Sequence, residues 1–188
     1  MEISDAKQVL EQAKEKMHKA VEYLDNELGT YRVGKANPSV FAGVSVEYYG
    51  TPTPLAQVAS ISVPDARTMI IQPWEKNLIP AIEKAIMAAN LGFTPQNNGE
   101  IIRIMVPPLT EERRRDLVKK SKAEGENARI SIRNARRDGV DLLKKYQKEG
   151  LSEDVVKDTE GLIQKEVDTF SKKVEEILAA KEKEIMTV

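Results

Sequence analysis

From Pro108 to Gly150 the chain runs for roughly forty residues without a proline and is densely charged throughout. As a single α-helix this stretch would extend about 60 Å, whereas an average globular helix has only ~11–12 residues. One compact core cannot enclose such a rod, so it needs partner helices of similar length. The two ends of the chain supply them. Ile3, Ala6, Leu10, Ala13, Met17, Val21, Leu24 and Leu28 recur in steps of three and four, which places them on one helical face. Val156, Ile163, Phe170 and Ile177 fall seven apart, and Val167, Val174, Leu178 and Ile185 widen that stripe. Three long amphipathic helices with such seams predict a bundle.

Local signals set the ends of these helices. Thr110 is a candidate N-cap after Pro107-Pro108, with Glu111 and Glu112 suited to the positive end of the helix dipole. Gly150 is a natural stop, and Ser152, Glu153 and Asp154 open the third helix. Gly29 and Gly34 loosen the chain after the first.

Between residues 31 and 105 the period changes. Val44, Val46 and Tyr48 alternate with Ser45 and Glu47, and Ala59, Ile61 and Val63 alternate with Ser60 and Ser62. Residues 68–72 and 101–106 are rich in β-formers. Leu78, Ile79, Ile82, Ile86 and Ala89 mark one short helix, with Pro80 tolerated in its first turn. Trp74 is expected in the core or packed at an edge, and Tyr48-Tyr49-Gly50-Thr51-Pro52-Thr53-Pro54 reads as a rigid exposed turn. The fold expected is α+β: a three-helix bundle from residues 1–30 and 106–188, with a small β/α/β domain inserted at 31–105. Two short crossings, at 30–34 and 104–107, make a hinge in which Thr30, Gly34, Val106 and Pro107 are the residues expected to turn.

Composition removes several classes of function. Without cysteine there is no disulfide, thiolate metal site or cysteine nucleophile. The acidic start, Met1-Glu2-Ile3-Ser4-Asp5, is neither a secretory signal nor an Arg-rich transit peptide. No apolar run approaches the ~20 residues of a membrane helix. A cytoplasmic protein with no membrane contact is expected. His18, the single histidine, has no second ligand beside it. Glu11, Glu15 and Glu22 read as solvated. No phosphate loop, nucleophile elbow or metal spacing occurs, so the expectation is a non-enzyme with no cofactor.

Charge is the one feature that points outward. Net charge is −1, yet residues 110–150 carry 13 bases and 8 acids while the flanking helices are acidic. In heptads, Val118, Gly125, Ile132, Gly139 and Tyr146 share one position, and Ser121, Ala128, Ala135 and Leu142 another. Small residues in this seam let neighbouring helices approach closely. Beside it, Arg115, Lys119, Lys122, Glu126, Arg129, Arg133 and Arg136 follow in steps of four and three. Arginine's planar fork suits phosphate, so this stripe is a candidate RNA-backbone contact. Two readings are open at this point: RNA binding, or a solvated face that salt-bridges to the acidic helices. Arg133 favours the first, because its heptad position points away from the neighbours. A helical adapter whose basic helix binds an acidic protein partner is the alternative from another class.

The stretches Val46-Glu47-Tyr48-Tyr49-Gly50-Thr51-Pro52-Thr53-Pro54-Leu55, Glu83-Lys84-Ala85-Ile86-Met87-Ala88 and Pro107-Pro108-Leu109-Thr110-Glu111-Glu112-Arg113-Arg114 resemble the ribosome recycling factor family. The resemblance continues through Ala128-Arg129-Ile130-Ser131-Ile132-Arg133-Asn134-Ala135-Arg136-Arg137-Asp138 and extends to length and segment order. It departs at Gly34-Lys35-Ala36, where the family usually reads Gly-Arg-Ala. Lysine keeps the charge there but loses the fork. The resemblance implies an L-shaped, tRNA-like monomer whose bundle lies against large-subunit ribosomal RNA. It also implies that the small domain moves when elongation factor G, the partner that hydrolyses GTP, acts. Carried over, it gives Arg129, Arg133 and Arg136 as the first RNA contacts, with Lys122 on the same stripe and Arg32 and Lys35 beside the hinge.

Overall fold

The computed structural model describes residues 2–187. Three long helices dominate it: α1 (Ile3–Gly29), α4 (Glu111–Lys148) and α5 (Glu153–Met186). Between the first two lie strands β1 (Ser45–Tyr48) and β2 (Thr51–Pro54), the one-turn helix α2 (Leu55–Val58), and strands β3 (Ala59–Asp65) and β4 (Thr68–Pro73). Helix α3 (Ile79–Ala88) and strands β5 (Gln96–Asn97) and β6 (Ile102–Met105) complete this part.

The chain divides into two compact units, one ending at Tyr31 and resuming at Glu111, the other spanning Arg32–Thr110. Each has its own core. In the helical unit Met17, Leu24, Leu28, Ile132, Leu143, Ile163 and Val174 are almost fully shielded. In the small unit Val46, Met69, Ile71, Ile82, Ile86, Ile102 and Ile104 are. The small unit is built on an antiparallel sheet of order β3-β4-β6-β5, beside the separate hairpin β1-β2. It is therefore a two-sheet α+β arrangement, richer than a bare β/α/β.

Of the α1 stripe, Ala6, Ala13, Met17, Leu24 and Leu28 are buried and Leu10 and Val21 are half-buried at its edge. Val9 joins it, and Ile3 stands 61% exposed. Along α4 the shielded line is Leu117, Ser121, Gly125, Ala128, Ile132, Ala135, Gly139 and Leu143. The heptad assignment is right through its middle and one residue off at both ends, where it names Val118 and Leu142. A straight helix repeats every 3.6 residues, so a strict 3.5 pattern drifts about 20° per heptad. Gly125 and Gly139 sit where neighbours press closest: an added Cβ would lie 2.3 Å from Leu178 Cδ1 and 3.2 Å from Ile163 Cδ1 respectively.

Four further expectations need correction. Trp74 is not core; it is 67% exposed. Val63 is exposed, because β3 keeps only one end under the sheet's apolar cover. Gly29 does not loosen the chain but lies in the last turn of α1. Gly34 is equally constrained. Its φ is +72°, and a Cβ there would meet the Leu109 amide nitrogen at 2.9 Å. Only glycine reaches that conformation without strain.

Of the residues expected to turn, Thr30, Gly34 and Val106 are constrained locally. The Thr30 hydroxyl donates to the Glu27 carbonyl at 2.6 Å and closes α1. Residues 106–110, placed by sequence with the bundle, fall in the small unit, and Tyr31, placed with the small domain, falls in the helical one. Val106 is buried, and its amide donates to the Arg67 carbonyl at 2.8 Å. Pro107 follows it in exposed, non-helical chain.

Candidate RNA-binding face

Helix α4 positions the candidate face by burying its small-residue line and turning the adjacent row outward. Arg133 and Arg136 are exposed, Arg129 is half-buried and Lys122 is exposed. One residue organises the middle of the row. Glu126 takes Arg133 Nη2 at 2.7 Å on one oxygen and Arg129 Nη1 at 3.6 Å on the other. Arg136 leans toward α5, its Nε donating to Gln164 Oε1 at 2.9 Å, while Gln164 Nε2 donates to Asp168 Oδ1 at 3.1 Å. Arg115 pairs with Glu111 one turn back.

These partners bear on the salt-bridge reading of the stripe. Among the described residues, the ion pair that joins α4 to another helix is Lys16–Asp138 at 3.3 Å, in which α4 contributes the acid. Lys14–Glu166 joins α1 to α5. No carboxylate of α1 or α5 neutralises Lys122, Arg129, Arg133 or Arg136. Among the described residues, Lys122 makes no side-chain hydrogen bond or ion pair. The positive row thus keeps most of its charge available, held at a helix flank by its own Glu126 and a neutral amide.

The two second-rank candidates differ from the stripe. Arg32 donates through Nη1 to the Leu91 carbonyl, and its guanidinium lies 5.8 Å from the Phe93 ring centroid. It is anchored within the small unit, so only part of its fork remains for another ligand. Lys35 is half-buried and unpaired.

Arg137 is a further outward cation that the heptad spacing does not include. It is exposed, without an ion pair, four residues from Arg133 on the same row. Continuing the i, i+4 step beyond Arg133 finds it.

No group of three or more His, Cys, Asp or Glu side chains among the described residues could hold a metal ion. His18 instead meets Phe170 edge-on, with centroids 6.3 Å apart. No helix is long and apolar enough to cross a membrane.

Comparisons with known proteins fit this arrangement. A family model described as ribosome recycling factor matches residues 24–186. The ribosome-recycling factor of Parabacteroides distasonis is 57% identical over 185 residues, covering 98% of this chain and 99% of its own. That of Porphyromonas gingivalis is 55% identical, covering 98% and 100%. A solution structure of a ribosome recycling factor superposes with a TM-score of 0.78 at 40% identity, covering 98% of both chains. A second structural relative, at 43% identity and TM-score 0.61, covers 97% of this chain and 99% of its own. It comes from models of the T. thermophilus ribosome recycling factor and the E. coli elongation factor G bound to the E. coli post-termination complex.

Proposed function

The chain belongs to the ribosome recycling factor family, and on that premise we propose that it binds the post-termination ribosome and, with elongation factor G and GTP, separates the subunits for another round of translation. The observation that carries this reading at residue level is the outward row of α4. Lys122, Arg129, Arg133 and Arg136 keep a positive flank that no neighbouring helix neutralises. Such a row suits the phosphates of ribosomal RNA, where guanidinium forks make paired charge-assisted bonds. The relative placed on the post-termination complex together with elongation factor G supports the choice of partners.

The protein acts by binding and by mechanical coupling, with no bond-making step of its own. GTP is hydrolysed by the elongation factor. Two units with separate cores, joined by two chain crossings, suit movement of one while the other stays on RNA. Relative motion is the default expectation for domains with separate cores. The crossings at Tyr31–Arg32 and Thr110–Glu111 are the proposed pivots, with the constrained residues Thr30, Gly34 and Val106 as their borders and Pro107 in the exposed chain between. Lys35 and the free part of the Arg32 fork provide a secondary contact beside the first crossing.

Light scattering of post-termination ribosomes tests the proposal. Scattering should fall when the chain, elongation factor G and GTP are all present, and hold when any one is omitted. Splitting by the chain alone, or none with all three, would overturn it. Binding to an acidic protein without ribosome affinity would favour the adapter reading instead.

A further inference from the structure

The small unit carries a cleft of about 460 Å³ that is unrelated to the α4 row, and Tyr48, Tyr49, Thr51, Trp74 and Glu75 are among its lining residues. Two of these aromatics are unusually open: Tyr49 is 76% exposed and Trp74 67%. The backbone adds to the oddity. Tyr48 pairs with Thr51 across the β1-β2 hairpin, leaving a two-residue turn of Tyr49 and Gly50 with φ values of +48° and +79°. Asparagine is the usual first residue of such a turn. A bulky tyrosine held in the left-handed region is strained, and strain of this kind clusters at binding sites.

The hydroxyls of both tyrosines converge on one carboxylate. Tyr48 donates to Glu75 Oε1 and Tyr49 to Glu75 Oε2, each at 3.1 Å, with the two rings 4.6 Å apart and nearly perpendicular. Each carboxylate oxygen has two acceptor directions, so one on each stays unused. No ion pair neutralises Glu75 among the described residues. The adjacent Lys76 is engaged elsewhere, with Glu100 at 3.1 Å. A negative charge with an acceptor direction left on each oxygen therefore lines a cleft with exposed aromatic rings.

We propose that Tyr48, Tyr49, Trp74 and Glu75 form a receptor for an arginine side chain of a basic protein partner. A guanidinium brings a positive charge and several N–H donors to the two Glu75 oxygens, and its faces stack on aromatic rings. A lysine ammonium would gain the cation–π attraction but lacks the fork. An RNA strand would stack on the rings yet bring its phosphates toward an unneutralised carboxylate. The cleft thus selects a cation, opposite in sign to the ligand suited to α4, and the assignment is independent of the ribosomal reading.

Trp74 is the single tryptophan, so its fluorescence reports on the cleft of the full chain without a label. Titration with a tetra-arginine peptide should change the emission saturably, while the neutral isostere tetra-citrulline should not. Glu75→Gln should weaken arginine-peptide binding by about tenfold or more. Tyr49→Ala, which removes an exposed ring that supports no core, should weaken it as well, and it carries the test if the Glu75 variant fails to fold by circular dichroism. Equal responses to the arginine and citrulline peptides, unchanged affinity in a folded variant, or no saturation would overturn the proposal. So would oligouridylate binding that strengthens in Glu75→Gln, since that outcome assigns the cleft to RNA.

Discussion

Arg133→Ala separates a charge that grips RNA from one that merely decorates a helix. In the free protein the Arg133 guanidinium has one partner, Glu126 Oε1 at 2.7 Å, and the two side chains are 63% and 51% exposed. Pairs this open to water contribute about 0–1 kcal/mol. Glu126 also retains Arg129, and alanine is the better helix former, so the net loss lies at the lower end of that range. The melting midpoint should therefore fall by no more than about 2–4 °C. On the ribosome the expectation is different. A hydrogen bond to a charged group is worth about 1.5–3 kcal/mol, which corresponds to roughly ten- to a hundredfold weaker binding. Losing one phosphate contact should also make the plot of log affinity against log salt shallower by about one unit. The assay pairs a thermal melt with ribosome-binding titrations at several salt concentrations. Unchanged affinity and slope beside a lowered midpoint would refute the RNA assignment and return Arg133 to an intrahelical ion pair.

Three other predictions concern the fold and the cleft. Gly125→Ala places a methyl 2.3 Å from Leu178 Cδ1; overpacking of about 1–3 kcal/mol should outweigh the ~1 kcal/mol gain in helix propensity, whereas Gly161→Ala meets nothing within 4 Å and should raise the denaturation midpoint. Gly34→Ala combines a left-handed backbone with a 2.9 Å approach to the Leu109 amide, so it should destabilise by at least about 1–2 kcal/mol, with hydrogen exchange accelerating in residues 32–110 before it does in the helices. The hydrogen bond to Glu75 holds the Tyr48 hydroxyl above the usual tyrosine range, with burial adding to it. The resulting stabilisation is full below the ordinary tyrosine value and is lost as pH rises through the elevated one; in ultraviolet difference absorbance, Glu75→Gln should shift the Tyr48 titration to lower pH.

What could be read from the sequence followed the strength of its periodicity. The helices were legible because their apolar steps of three and four persist over many turns, and only the ends of the α4 seam slipped. β2 was read as a turn because Pro52 and Pro54 argue against a strand. It survives as an outer strand of a two-stranded ribbon, where a missing amide is tolerated. The α4 row was visible as spacing, but the contact of Glu126 with two arginines depends on rotamers that spacing does not specify. Arg32 looked free because its acceptor, the Leu91 carbonyl, lies 59 residues away. Trp74 was read as core or edge packing, and its 67% exposure was not legible because residue type says nothing of how far a sheet end is covered.

The insertion of the small unit between α1 and α4 fixes an order of events during synthesis. Helix α1 emerges first, with an apolar face whose partners are α4 and α5, and it stays unpartnered while residues 32–110 are made. The small unit contains all its own core residues within that continuous stretch, so it can fold before the helical unit exists. The helical unit closes only when α5 leaves the exit tunnel, with a long loop already shortened by the folded insert, which lowers the entropy lost in bringing α1 back to α4. A nascent chain arrested once β6 has cleared the tunnel should therefore be half finished in a specific way: one folded unit trailing one exposed amphipathic helix, the state most in need of a chaperone.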